Sequence, residues 1–110
     1  MATTYKVLGQ SAPSANTDTN VYTVPSGTQA VISTIAVCNL TQGELLFRIA
    51  VRPNGASISS EHYIAYDSKV AGNDTTFITV GVTADAGDVI TVRSSSTGNI
   101  AFNVYGSEIA

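Results

Sequence analysis

Acid–base or nucleophilic chemistry needs a side chain that exchanges a proton near neutrality, and this chain offers one histidine, His62, within Glu61-His62-Tyr63. Serines are plentiful, but none stands in the strained Gly-x-Ser-x-Gly turn that presents a nucleophile. A lone histidine where a strand begins reads as a hydrogen-bonded surface residue, because a catalytic triad is defined by three groups in mutual geometry. The single cysteine, Cys38, cannot form an internal disulfide and is not at metal-ligand spacing from His62. It reads as a small buried hydrophobe in a strand. Asp85 and Asp88 flank Ala86-Gly87, and Asp74 follows Asn73. Calcium asks for roughly six to eight converging oxygens, more than these acids supply, whereas an Asp behind Gly at a strand start has turn amides to satisfy. No pair of carboxylates is marked as facing a cleft, as glycoside hydrolysis requires, and the glycine-rich phosphate loops are absent. With no tryptophan in the chain, Tyr63, Tyr66 and Tyr105 are the candidates for stacking on a sugar. The expectation is a protein that is not an enzyme and holds no cofactor and no metal.

The elements that must position these residues are bounded first by size and charge. A chain of 110 residues makes one domain, which buries roughly 65% of the surface that its unfolded form exposes. Charged residues are 12% of the sequence, about half the usual ~25%, so a folded domain is expected and not a disordered one. The net charge is -3, and the five basic residues, Lys6, Arg48, Arg52, Lys69 and Arg93, are scattered. That is a poor electrostatic footprint for nucleic acid. No basic-plus-apolar leader follows Met1 and no long apolar run occurs, so neither secretion nor a membrane span is expected. The glycosylation-like triplets Asn39-Leu40-Thr41 and Asn73-Asp74-Thr75 then carry no meaning, and folding in a reducing cytosol is expected.

Helical periodicity is almost absent, whereas strand signals recur. Glu44 to Pro53 alternates, with Leu45, Phe47, Ile49 and Val51 on a core face and Leu46, Arg48, Ala50 and Arg52 on the other. Asn99 to Tyr105 points Ile100, Phe102 and Val104 inward. Asp88–Ser94, Thr75–Val82, Tyr5–Leu8, Asn20–Val24 and His62–Tyr66 are further strands, joined through Pro25-Ser26-Gly27, Gln42-Gly43, Pro53-Asn54-Gly55, Gly72-Asn73-Asp74, Ala86-Gly87-Asp88 and Thr97-Gly98-Asn99. About eight short strands at intervals of about a dozen residues predict an all-β fold, an antiparallel β-sandwich or jelly roll. Ser11 to Thr19 is the weakest segment, so residues 1–19 are expected to form an extended N-terminal strand or arm and residues 20–110 the body.

Between Lys6 and Glu44 the only charged residue is Asp18. A half-buried strand carries charge on its wet face, and a strand covered on both faces does not. The uncharged strand Thr28–Leu40 is therefore expected to be covered twice, once by its own core and once by another copy of the chain. Strict alternation puts Val31, Ile35 and Val37 on one side and Ile32, Ala36 and Cys38 on the other. The interface residues expected on this basis are Ile32, Ala36 and Cys38, with Tyr5 and Val7 from the arm and Tyr105 and Ile109 from the last strand.

A set of segments adds a resemblance. Leu8-Gly9-Gln10, Val21-Tyr22-Thr23-Val24-Pro25, Val37-Cys38-Asn39, Phe47-Arg48-Ile49-Ala50-Val51-Arg52-Pro53, Tyr63-Ile64-Ala65-Tyr66-Asp67, Ala86-Gly87-Asp88-Val89-Ile90-Thr91-Val92 and Phe102-Asn103-Val104-Tyr105-Gly106-Ser107-Glu108-Ile109 together resemble small virion structural proteins of tailed bacteriophages, in particular those infecting marine cyanobacteria. The resemblance runs over nearly the whole chain and carries no catalytic motif. It implies a β-sandwich protein made in the host cytoplasm and assembled into the virion in many copies. The expected function is a homo-oligomeric, trimeric decoration or cement module that stabilises the particle, with the capsid placed ahead of the tail or baseplate. Its expected partners are itself and other virion proteins such as the major capsid or tail proteins, with no nucleic acid and no membrane. The alternative is a receptor- or glycan-binding module of a tail fibre or baseplate, whose contact surface would use Asn54, Ser57, His62, Tyr63 and Tyr66 from the loops at one end of the sandwich.

Overall fold

Alternating β-branched residues bounded by Gly, Asn and Asp make strands throughout. The structure, a computed structural model, describes residues 2–110 apart from the side chain of Val80. Its eight strands are β1 (Thr3–Ser11), β2 (Thr19–Thr23), β3 (Gln29–Asn39), β4 (Leu45–Arg52), β5 (Tyr63–Val70), β6 (Thr75–Ala84), β7 (Val89–Ser94) and β8 (Ile100–Ile109). Each overlaps a strand expected from the sequence. They pair antiparallel in a nested way, β1 with β8, β2 with β7, β3 with β6 and β4 with β5. The β3–β8 and β4–β7 ladders then join these pairs into two sheets, β1-β8-β3-β6 and β2-β7-β4-β5. A long hairpin of nested pairs rolled into two sheets is a jelly roll. Residues 3–11 of the N-terminal segment are extended as expected, but the neighbour β1 reaches is β8 of the same chain.

One apolar layer lies between the sheets. Phe47 of one sheet meets Phe102 of the other edge-on, with ring centroids 6.3 Å apart, and Ile32, Ile35, Val37, Ile49, Val92 and Val104 surround them without solvent exposure. The inward sides expected for β4 and β8 are those observed. On β3 strict alternation fails. A bulge at Ser33 sets Ile32 opposite Gly106 and Thr34 opposite Tyr105, although Gly106 and Tyr105 are adjacent in β8. The extra residue shifts the parity of the strand. Ala30 and Ile32 point inward before the bulge and Ile35 and Val37 after it. Ile32, expected on an intermolecular face, is therefore wholly buried in the core of its own chain. The Ser33 hydroxyl donates to the Tyr105 carbonyl (3.2 Å) at the break in the ladder. β1 and β6 shift register at the same level, between Val7 and Gly9 and between Thr79 and Val82, so the irregularity crosses the sheet as a line.

Close backbone approach along this line demands glycine. A Cβ on Gly106 would lie 2.0 Å from the Val31 carbonyl oxygen, and one on Gly9 would lie 2.1 Å from that of Val21 on β2, where the two sheets meet at an edge. The same edge is closed by a polar bridge between the sheets: Lys6 Nζ lies 2.8 Å from Glu108, and the Tyr22 hydroxyl donates to the Glu108 carboxylate at 2.6 Å. The Lys6 ammonium, and then the Tyr22 hydroxyl, hold the Glu108 carboxyl below its ordinary 4.5. Burial, helped by the facing carboxylate, raises the Tyr22 phenol well above 10.0.

Two predictions concern stability. Gly106→Ala should lower it by about 1–3 kcal/mol, because the clash is with backbone that cannot rotate away. Gly43→Ala, whose added Cβ meets nothing within 4 Å, should be close to neutral; chemical denaturation measures both. The second concerns pH. A carboxyl whose pKa is lowered by folding adds stability above its unfolded value and loses it as pH falls through the folded one. The thermal midpoint should therefore fall on acidification below about pH 4.5, and Glu108→Gln should flatten that acid limb. In alkali the signs reverse for a raised phenol, so stability should fall above about pH 10 and Tyr22→Phe should remove this loss.

Candidate functional site

The register places paired residues on one face, and the outer face of the β1-β8-β3-β6 sheet can be traversed row by row. Val7, Tyr105, Thr34 and Thr79 form one row; Gln10, Asn103, Ala36 and Phe77 form the next. Ala101, Cys38 and Thr75 follow on one side, and Tyr5, Ser107, Val31 and Thr83 on the other, with Thr3, Ile109 and Gln29 at the far end. No acidic or basic residue appears in any of these rows. The face nevertheless exposes large hydrophobes: Tyr5 is 83% exposed, Phe77 68%, Val7 48% and Tyr105 37%. Of the interface residues expected from the sequence, Tyr5, Val7, Ala36, Cys38, Tyr105 and Ile109 come together here, and Ile32 lies beneath them. Ala36 is already buried among its strand neighbours, and Cys38 is half-buried. Phe77 is the residue that sequence reasoning missed. Its strand was expected, but only the β3–β6 register shows that its ring stands beside Ala36 on the uncharged side.

The opposite sheet is built differently. Arg48, Arg52 and Arg93, together with Lys69, lie on its outer side, which is four of the five basic residues in the chain. Arg48 grips Asp67 through Nε (2.7 Å) and an Nη nitrogen (3.2 Å), and its guanidinium lies 4.1 Å from the centre of the Tyr66 ring. Tyr63 meets Tyr66 nearly at right angles, with centroids 4.8 Å apart. The Arg48 hydrogen bond holds the Asp67 carboxyl below its ordinary 3.8, and the same pairing raises the Arg48 guanidinium further. Beside this group Ser59, Ser60, Tyr63 and Tyr66 line an open cleft of about 640 Å³.

The loop residues proposed for contact do not all converge on that cleft. Tyr63 and Tyr66 do. His62 stands next to it but is engaged: its Nδ1 accepts the Ser59 backbone N–H (3.1 Å) and caps a single turn over Ser60–His62. Asn54 adopts φ +51 and its N–H donates to Asp88, which sets it against the β6–β7 turn. Asp88 also accepts the Asp85 N–H (2.9 Å), and Asp85 accepts that of Ala86 (2.8 Å), so these acids serve turn amides. Among the described residues no three of His, Cys, Asp and Glu gather as metal ligands, and no helix is long and apolar enough to cross a membrane. Ser59 and Ser60 belong to the loop 53–61 that the sequence already set beside these tyrosines, whereas Arg48 had no sequence signal tying it to them, because it reaches Tyr66 only through the pairing of β4 with β5.

Chain and fold together define an eight-stranded jelly roll with one uncharged and one charged outer face. No family model, curated protein or solved structure matches the chain. Arg48→Gln tests the charged group: the Asp67 carboxyl should titrate closer to 3.8 than in the wild type, as followed by carbon-detected NMR.

Proposed function

We propose that this protein is a virion structural module of a tailed phage, a decoration or cement protein that assembles with its own copies, as a trimer, through the uncharged face of the β1-β8-β3-β6 sheet. The observation that carries the reading is that face, with exposed Tyr5, Val7, Phe77 and Tyr105 and no charge in its rows. Solvated sheet faces ordinarily alternate core residues with charged or strongly polar ones, and contiguous apolar exposure marks a surface that meets protein. The partner is a second copy because the chain offers no complementary charge there for an unlike surface to recognise, whereas a charge-free face is compatible with itself. Size favours more than a pair. Four strands ~4.8 Å apart and ~9 residues long give a face of the order of 600 Å², below the ~800 Å² per partner of a standard interface. In a closed trimer each copy uses this face and an adjoining sheet edge against two neighbours. The sequence resemblance to small phage virion proteins supplies the setting, and the capsid surface is placed ahead of the tail or baseplate.

Phe77→Asp should turn the trimer into monomer without loss of fold, because a lone carboxylate would be buried in the contact while the free chain leaves it in water. Native mass spectrometry reads the stoichiometry and circular dichroism the fold. A wild-type chain that stays monomeric at about 100 µM, far above a micromolar Kd, overturns the assembly. Electron microscopy of intact particles then locates the module on head or tail.

A further inference from the structure

The cleft on the charged sheet lies on the other side of the molecule from the proposed contact face and stands or falls independently of it. We propose that it binds a neutral pyranose, one sugar unit stacking on Tyr66 with its hydroxyls towards Ser59 and Ser60.

Three features carry this. The first is a rigid aromatic corner. Tyr66 is 57% exposed, yet its ring is held by the Arg48 guanidinium 4.1 Å from its centre and by Tyr63 at 84° and 4.8 Å. An exposed aromatic ring with a fixed orientation offers a flat apolar surface that loses little freedom on binding. The second is the lining. Two aromatic rings bearing phenol hydroxyls face two serines across about 640 Å³, a volume within the ~300–1,000 Å³ typical of small-molecule sites. A pyranose has that same division, an apolar C–H face and a rim of hydroxyls that both donate and accept, as Ser and Tyr hydroxyls do. The third is charge. None of the four lining residues is ionic, and the neighbouring Arg48 and Asp67 are joined to each other by two hydrogen bonds. The Arg48 charge beside the cleft is therefore matched by Asp67, which leaves little net positive charge to draw an acidic ligand, so the site favours an uncharged sugar.

The sugar unit arrives either free or within a polysaccharide, and the test separates the two. Amide chemical shifts of the labelled protein are followed on titration with methyl α-glucopyranoside, methyl β-galactopyranoside, maltotriose and glucuronate. At least one neutral probe should shift the amides around Ser59, Ser60, Tyr63 and Tyr66, with a dissociation constant of the order of millimolar. Tyr66→Ala should weaken that binding about tenfold or more, and Tyr66→Phe, which keeps the ring, should change it less than about threefold. Tighter binding of maltotriose than of the single sugar assigns the site to a polymer, and equal binding assigns it to free sugar. Phe77→Asp should leave the single-sugar constant unchanged while altering the oligomer, which separates failure of this site from failure of assembly. The proposal is overturned if no neutral probe shifts these amides at ~50 mM, well above a millimolar constant, if glucuronate binds them more tightly than the neutral probes, or if Tyr66→Ala binds as the wild type does.

Discussion

The structure depends on how β3 satisfies two surfaces with one run of side chains. This strand sits inside its sheet, hydrogen-bonded to β8 on one side and β6 on the other, and it faces the core along its whole length. A strand of regular alternation would place either Ile32 or Ile35 outside. The extra residue at Ser33 lets Ala30, Ile32, Ile35 and Val37 all point inward, and it moves Val31, Thr34, Ala36 and Cys38 together to the outer side. The neighbouring strands must follow, and the register shifts of β1 and β6 at the same level, with glycine at Gly9 and Gly106 where backbones crowd, are the consequence. Bulges increase twist, and a line of them gives a four-stranded sheet the curvature it needs to wrap a small core.

From that arrangement comes the difference between the two outer faces. With the large hydrophobes of both sheets meeting in the middle, the remaining residues are sorted by strand, and the strands of one sheet contain almost none of the charge. Lys6 and Glu108 are the exceptions, and both lean inward at the sheet edge, where they meet each other and Tyr22. The guanidiniums of the other sheet are each held by neighbours: Arg48 by Asp67, Arg52 by Thr91, Asn20 and the Ala56 carbonyl, and Arg93 by Asp18 at 3.5 Å. Such exposed pairs add little to stability individually, but they keep one face wet. The same small body therefore carries one uncharged outer face and one hydrated outer face.

Several polar residues with the right types for chemistry turn out to hold loops in place. His62 caps a turn, Asp88 collects the amides of Asn54 and Asp85, and Asn39, 1% exposed, donates to the carbonyls of Gly43 and Val70 while accepting from Thr41. A domain with so many short connections has many backbone groups outside its ladders, and buried polar groups must be paired. Side chains that reach back to these groups are the economical answer in a chain this short.

The strands, their turns and the inward sides of β4 and β8 could be read from the chain because each depends on nearest neighbours: alternation sets the face, and Gly, Asn and Asp set the ends. The shortage of charge before Glu44 likewise foretold that the outer side of β3 carries no charge. Six of the seven residues expected on that face do share it, but a bulge costs no change in composition and yet reverses the face of every residue beyond it, so Ile32 went to the core and could not be placed from the sequence. Phe77 beside Ala36, and Arg48 beside Tyr66, likewise depend on strand register, and that is set by contacts between segments far apart in sequence.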